Sequence, residues 1–133
     1  MARILVIDDD ALVREATKVL LHTRDHEVTL AENGKAGVEA ARAGDFDLAI
    51  VDLFMPDMDG LHVIETIHRL RPNLPLIAAS GFMFKAGADV PTMPNFEPMA
   101  VEAGAVATLY KPYKPDRLFQ AVAKALAAKA AAA

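Results

Sequence analysis

The sequence predicts an α/β domain, a doubly wound sheet of parallel strands with helices on both faces. Short, continuous apolar runs such as Ile4–Ile7 are typical of strands that are covered on both sides. These runs alternate with longer segments in which apolar residues recur at helical spacing. Such alternation implies right-handed crossover connections and therefore a parallel sheet. At 133 residues the chain has the length of a single domain.

The first half of the chain supplies three strands and two helices. The first strand is an apolar, β-branched run that ends at three aspartates, of which Asp10 is suited to cap the following helix. In that helix apolar and charged residues occupy opposite sides, as expected for a helix packed on a sheet. The second helix starts at Asn33-Gly34 and stops at Gly44. The predicted elements are strands at Arg3–Ile7, Glu27–Ala31 and Leu48–Asp52 and helices at 11–22 and 34–43.

The second half adds two strands and three helices. The third helix begins near Asp59-Gly60 and ends before Pro72, because the residue that precedes a proline leaves the α region. Residues 81–95 contain two glycines and two prolines without any period, which predicts a long loop. The last helix is rich in alanine, the best helix former. The predicted elements are strands at Leu76–Ser80 and Ala105–Tyr110 and helices at 60–70, 96–103 and 114–128.

The order of the strands in the sheet follows from this alternation. Five strands with helical crossovers fit the flavodoxin-like (βα)5 arrangement, in which the strands lie in the order 2-1-3-4-5. We expect one domain at 1–128. Residues 129–133 read KAAAA and are expected to form an alanine-rich C-terminal tail that is frayed.

The composition excludes several classes of function. The chain is 53% hydrophobic and 24% charged, and its net charge of −4 argues against a nucleic-acid-binding surface. It has no cysteine, which excludes disulfides, thiolate metal sites and cysteine nucleophiles. No stretch is long and apolar enough to span a membrane, and the run at 4–7 is too short for a signal peptide. We therefore expect a cytoplasmic protein without nucleic-acid or membrane partners.

Acidic, hydroxyl and basic side chains follow four of the predicted strands. Asp8 and Asp9 come after the first strand, Asp52 and Ser80 end the third and fourth, and Lys111 follows the fifth. Because parallel strands end at the same edge of a sheet, these residues should meet there. Crowded carboxylates repel one another, and Mg²⁺ with its oxygen ligands is their simplest neutraliser. A carboxylate nucleophile, a metal, a hydroxyl and a lysine are the groups that phosphoryl transfer to an aspartate requires.

Each of these residues also has a purely structural interpretation. The acids at 8–10 could serve the positive N-terminal end of the first helix. Asp52 could be an ordinary turn acid, Ser80 a loop hydroxyl and Lys111 a solvated charge. The structural interpretation requires that all four groups reach one edge of the sheet by accident, so the sequence favours a site.

With these residues the sequence resembles the receiver domains of two-component response regulators. The resemblance rests on the acidic pair within VIDDD, the run DLFMPDMDG at 52–60, Ser80, and the run Lys111-Pro112-Tyr113. It covers essentially the whole chain. It implies that Asp52 is the phosphoacceptor, that Ser80 and Lys111 take part in catalysis, and that the Lys111–Pro112 peptide bond is cis. The phosphoryl donor would be a histidine kinase or a histidine phosphotransfer protein.

The same resemblance implies a set of Mg²⁺ ligands. Asp9, Asp52 and the backbone carbonyl of Phe54 would bind the ion directly, and Asp8 would act through a water molecule. Phe54 occupies the position two residues after the acceptor. We expect its ring to restrict the water that attacks the acyl phosphate.

The sequence departs from the receiver pattern in two places. Receivers usually carry Phe or Tyr three residues before the lysine as a switch residue, and here that position is Thr108. Tyr110 lies on the same side of the strand and would be an imperfect substitute. The loop at 81–95 is longer than in a plain receiver and contains the apolar Phe82. We hypothesise that phosphorylation draws in Ser80 and moves this loop; the alternative is that the loop packs over the fourth helix at all times.

The sequence thus favours a phosphoacceptor signalling domain that catalyses only its own phosphorylation and dephosphorylation. The chain ends with the fifth helix, so the expected output is binding to an unidentified downstream protein or action as a phosphate relay or sink. Candidate docking positions are Ala11, Arg14 and the Tyr113-Lys114 loop.

Two other functions remain open. The first is a binding module with the receiver fold that is never phosphorylated, an alternative that Thr108 keeps open. The second is a Mg²⁺-dependent phosphatase of the haloacid-dehalogenase type. Those enzymes have a second acid two residues after the nucleophile, where this chain has Phe54, and they need a cap domain or a longer chain.

Overall fold

The computed structural model describes residues 1–80 and 96–132. Five strands form one sheet in the order β2-β1-β3-β4-β5, and all neighbouring strands are parallel. The predicted strand order and the bounds of all five strands are confirmed. The strands are β1 Arg3–Ile7, β2 Glu27–Ala31, β3 Leu48–Asp52, β4 Leu76–Ser80 and β5 Ala105–Tyr110.

Five helices cover the sheet in the described residues. Three of them begin at a side-chain cap: Asp10 accepts from the Leu12 N–H at 2.9 Å, Asn33 from Ala36 at 2.8 Å and Asp59 from Leu61 at 2.9 Å. Each cap satisfies a backbone donor that the helix itself leaves without an acceptor. The helices are α1 Ala11–His22, α2 Gly34–Ala43, α3 Gly60–Leu70, α4 Glu97–Ala103 and α5 Pro115–Ala132.

Two hydrophobic cores lie on opposite faces of the sheet. Alternate residues of one strand point to opposite faces, so Leu5 joins the core beneath α2, α3 and α4, while Ile4 joins the core beneath α1 and α5. The central strands β3 and β4 are buried along their whole length. This burial on both faces explains why their sequences are continuous apolar runs without polar alternation.

The predicted end of the last helix was wrong. Helix α5 continues to Ala132, whereas the sequence pattern predicted an end at 128. Lys129 Nζ donates to the Phe46 carbonyl and to Asp47 Oδ1, both at 3.0 Å. These contacts, together with the high helix propensity of alanine, extend the helix. The division into a domain at 1–128 and a tail at 129–133 stays a prediction. Helix α4 also begins one residue later than predicted, at Glu97.

The predicted long loop at 81–95, with Phe82, lies outside the described residues. No helix in the described part of the chain has the length and the apolar character needed to cross a membrane.

Candidate functional site

The C-terminal edge of the sheet brings together the predicted site residues. Asp52 is the last residue of β3 and Ser80 the last of β4, and both are about 1% exposed. Asp8 and Lys111 directly follow β1 and β5 and are also buried. The parallel register aligns these ends, since Asp52 lies opposite Ala79 and Ser80 lies opposite Tyr110. One edge of the sheet therefore carries acids, a hydroxyl and an ammonium group.

Lys111 forms ion pairs with two of the acids. Its Nζ lies 2.5 Å from Asp8 Oδ2 and 3.3 Å from Asp52 Oδ1. Burial alone would lower the pKa of Lys111, but the hydrogen bond to Asp8 and the negative charge of Asp52 outweigh burial and raise it. The lysine is therefore charged at neutral pH and holds two carboxylates on one side of the site.

Asp52 occupies an unfavourable electrostatic position. Burial and the negative charge of Asp8 raise the pKa of Asp52 to about 6, although Lys111 and a hydrogen bond from the Phe54 N–H act in the opposite direction. The Phe54 N–H donates to Asp52 Oδ1 at 3.3 Å. The other oxygen, Oδ2, receives no hydrogen bond from the described residues. A buried carboxylate oxygen without a donor is rare, and within the described residues it leaves this atom available as a ligand.

The three acids have the arrangement of a divalent cation site. One oxygen from each of Asp8, Asp9 and Asp52 can be chosen so that all three lie within 4.8 Å of one another, and Asp9 is exposed to solvent. Carboxylate oxygens with solvent access suit Mg²⁺, which keeps several of its water ligands in protein sites. Asp52 Oδ2, which accepts no hydrogen bond from the described residues, is available as such a ligand. These residues therefore fit Mg²⁺.

The loop after Asp52 is held close to the strand by Gly60. The Gly60 N–H donates to the Leu53 carbonyl at 3.0 Å, and Phe54 and Asp59 form an isolated antiparallel bridge. A Cβ on Gly60 would lie 2.2 Å from the Leu53 Cα and 2.5 Å from the Asp52 carbonyl oxygen. Only glycine fits here without moving the backbone of the predicted acceptor.

Asp57 fixes the same loop from the other side. Its carboxylate accepts from the Gly34 and Lys35 N–H groups at 3.1 and 3.2 Å, at the positive N-terminal end of α2. No role was predicted for Asp57 from the sequence. A local pattern could not have identified it, because its partners lie more than twenty residues earlier in the chain.

Two of the candidate docking residues have intramolecular partners. Arg14 Nη1 donates to the Asp8 carbonyl at 2.8 Å, and the Tyr113 hydroxyl is hydrogen-bonded to Thr17 Oγ1. Ala11 is exposed, and its docking role stays a prediction. Arg14 and Tyr113 therefore contact other parts of the site, and these contacts were not predicted from the sequence. The Lys111–Pro112 peptide bond is cis, which confirms the prediction.

The predicted switch residues lie at the outer strand. Thr108 is half-buried and Tyr110 is 39% exposed. The Tyr110 ring packs edge-on against Phe96 with ring centroids 4.9 Å apart. Burial and the neighbouring Glu97 carboxylate raise the pKa of Tyr110. Both Thr108 and Tyr110 line a groove of about 440 Å³.

Proteins similar to this chain include two chemotaxis proteins and a solved receiver domain. The chain is 30% identical to the chemotaxis protein CheY of Thermotoga maritima, over 92% of this chain and 95% of that protein. It is 32% identical to CheY of Bacillus subtilis, over 93% and 97%. A CheY-like receiver domain structure from Methanospirillum hungatei aligns with a TM-score of 0.85 at 28% identity, covering 100% of this chain and 99% of that one.

Longer regulators contain the same unit. The transcriptional regulatory protein ZraR of Salmonella typhimurium is 34% identical over 93% of this chain, and the chain spans only 26% of its length. The family profile described as response regulator receiver domain matches residues 4–123. Nearly the whole chain is thus accounted for by one family, and we conclude that it belongs to the response regulator receiver domains of two-component signalling.

Proposed function

We propose that this chain accepts a phosphoryl group from a phosphohistidine donor onto Asp52, with Mg²⁺ as the cofactor. The observation that carries the proposal is the state of Asp52. Its carboxylate is buried, one oxygen has no hydrogen-bond donor in the described residues, and the other lies 3.3 Å from Lys111 Nζ. A purely structural aspartate in this position would lower the stability of the fold, because Lys111 and the Phe54 N–H only partly offset its burial and the charge of Asp8.

In the proposed reaction a carboxylate oxygen of Asp52 attacks the phosphorus atom of the donor. The P–N bond breaks, its electron pair stays on the imidazole nitrogen, and an acyl phosphate forms on Asp52. The reaction needs an ionised Asp52, which its pKa of about 6 provides at neutral pH. Lys111 places a positive charge opposite the transferred oxygens, and Ser80 offers a hydroxyl donor at the neighbouring strand end.

The acids beside Asp52 have a separate role in this proposal. Asp9, Asp52 and the Phe54 carbonyl would bind Mg²⁺ directly, and Asp8 would contact it through water. The ion would supply positive charge to the phosphoryl oxygens, as in other phosphoryl transfer sites. Asp8 also remains paired with Lys111, so one acid serves both the metal and the lysine.

The proposed output is a change in binding to another protein, or transfer of the phosphoryl group onward. The donor is a histidine kinase or a histidine phosphotransfer protein, as for receivers in general. Exposed Ala11 and Lys114 flank the site and are proposed to contact such partners. On this proposal the domain turns over no substrate other than its own phosphoryl group.

The decisive experiment is phosphorylation with a small donor followed by intact mass. The protein is incubated with phosphoramidate, which has a P–N bond, or with acetyl phosphate, each with Mg²⁺ or with EDTA. We expect the mass of one phosphoryl group to be added to the wild type in Mg²⁺ only. Asp52→Asn should gain none, while the control Asp47→Asn, which changes an acid before β3 at the opposite edge of the sheet, should react like the wild type.

Two results would contradict the proposal. Equal phosphorylation of Asp52→Asn and the wild type would place the acceptor elsewhere. A wild-type protein that gains no mass from either donor in Mg²⁺ would favour the alternative function, a receiver-fold binding module that is not phosphorylated.

A further inference from the structure

A pair of hydroxyl groups, one of them buried, joins the first helix to the turn after the last strand. Thr17 on α1 is 1% exposed, and its Oγ1 is hydrogen-bonded to the Tyr113 hydroxyl, 96 residues further along the chain. A buried hydroxyl needs a partner, since its burial without one lowers the stability of the fold. The pair therefore fixes where Tyr113 can lie relative to α1.

Tyr113 lies only two residues after Lys111. Pro112 stands between them and restricts the backbone, since its ring fixes φ. On the other side, the Lys111 N–H donates to the Ser80 carbonyl at 2.7 Å. The backbone of Lys111 is thus held by β4 at one end and by the Tyr113 ring at the other.

The same helix also holds Asp8. Arg14 lies one turn before Thr17, and its Nη1 donates to the Asp8 carbonyl at 2.8 Å. Residues three apart on a helix share one face. One face of α1 therefore contacts both the backbone of Asp8 and the hydroxyl of Tyr113. Both contacts of α1 thus lie beside the ion pair in which Lys111 Nζ is 2.5 Å from Asp8 Oδ2.

We propose that Thr17 and Tyr113 are positioning residues for phosphoryl acceptance. Their hydroxyl pair holds the turn at 111–113 against α1, so that Lys111 Nζ stays in reach of Asp8 and Asp52. The two hydroxyls act through Lys111. This inference rests on the proposed function, because it names residues that support the same reaction.

The test compares Tyr113→Phe, Thr17→Val and the double variant with the wild type. The rate of phosphorylation by phosphoramidate is measured at saturating Mg²⁺, well below the unfolding temperature, as a function of donor concentration. We expect each variant, including the double one, to lower the maximal rate by the same factor, roughly three- to tenfold, for the loss of one buried hydrogen bond. The donor concentration at half the maximal rate should not change.

Stability separates positioning from packing. The double variant replaces a polar pair by an apolar pair of similar shape, so it should regain most of the stability lost in the single variants. Its rate should stay low. If the double variant regains the rate together with the stability, the pair only packs and the proposal is overturned. The stability control is Lys129→Met, which loosens α5 at the opposite edge of the sheet and should keep the wild-type rate.

A second measurement does not require phosphorylation. The ¹³Cε signal of Lys111 is recorded by NMR in the Mg²⁺-free protein, and we expect it to move toward the position of solvent-exposed lysines in Tyr113→Phe and Thr17→Val. An unchanged signal in both variants overturns the proposal. If the wild type accepts no phosphoryl group, the proposed function fails, while this signal still decides whether the hydroxyl pair positions Lys111.

Discussion

Replacing Asp52 by asparagine should stabilise the Mg²⁺-free protein at neutral pH. The wild-type carboxylate is buried, and burial together with Asp8 raises its pKa from 3.8 to about 6. Folding therefore places a negative charge where ionisation is less favourable than in the unfolded chain. The amide of asparagine has the shape of the neutral acid. A hydrogen bond to Asp9 also raises the pKa of Asp52, so an acceptor for the asparagine amide lies beside it.

The sign and size of the effect follow from linkage. The folded pKa lies above the unfolded value of 3.8, so the folded state binds the proton more tightly and wild-type stability rises as the pH falls from above 6 toward 4. Above pH 7 the charged form lowers the free energy of unfolding by up to about 3 kcal/mol, at about 1.4 kcal/mol for each unit of pKa. For a domain of this size this corresponds to a rise of roughly 10 °C in Tm for Asp52→Asn.

The assay is urea unfolding of both proteins in EDTA at pH 7.5 and pH 4.5, followed by circular dichroism. The asparagine variant should be more stable at pH 7.5, and the difference should largely disappear at pH 4.5. Asp47→Asn is a control that should change stability in the opposite direction. Hydrogen bonds from the Arg3 N–H and from Lys129 lower the pKa of Asp47, so removal of this carboxylate should lower the free energy of unfolding at pH 7.5. The electrostatic account is refuted if Asp52→Asn is no more stable than the wild type at pH 7.5.

Three further predictions concern the surroundings of Asp52 and the end of α5. Phe54→Asn should speed hydrolysis of the acyl phosphate, since it removes the ring that we expect to restrict the attacking water; an unchanged half-life would count against this role. Gly60→Ala should lower the free energy of unfolding in urea by about 3 kcal/mol, because its Cβ meets the backbone of Leu53, and a wild-type value would contradict the close approach. Lys129→Met should cost about 1 kcal/mol for its two hydrogen bonds, and no loss would mean that the end of α5 contributes nothing.

The strands could be predicted from the sequence because their signal is local. Each strand is a continuous apolar run that stops at a polar residue, and burial on both faces requires such a run. The site followed from the same signal, because parallel strands place Asp8, Asp52, Ser80 and Lys111 at one edge. The residues that the sequence placed at strand ends are the residues that the structure brings together.

The supports of the site could not be predicted in this way. Thr17 lies on the buried side of a helix, and no local sequence pattern indicates that its hydroxyl is hydrogen-bonded to Tyr113. Asp57 reads as a turn acid, although it binds the start of α2. Lys129 stands in an alanine run that reads as a frayed tail, although its ammonium group has two acceptors. In each case the partner is distant in sequence, and only the packed fold defines the pair.

The two edges of the sheet differ in how well their polar groups are satisfied. At the N-terminal edge Arg71 donates to the carbonyls of Ala41, Arg42 and Gly44 at the end of α2, and Asp47 accepts from the Arg3 N–H at 2.8 Å. These contacts neutralise a helix end and a carboxylate, and they stabilise the fold. At the C-terminal edge, the described residues leave Asp52 Oδ2 without a donor. Within the described residues, this contrast between the two edges supports the proposal that Asp52 Oδ2 binds Mg²⁺ or a transferred phosphoryl group.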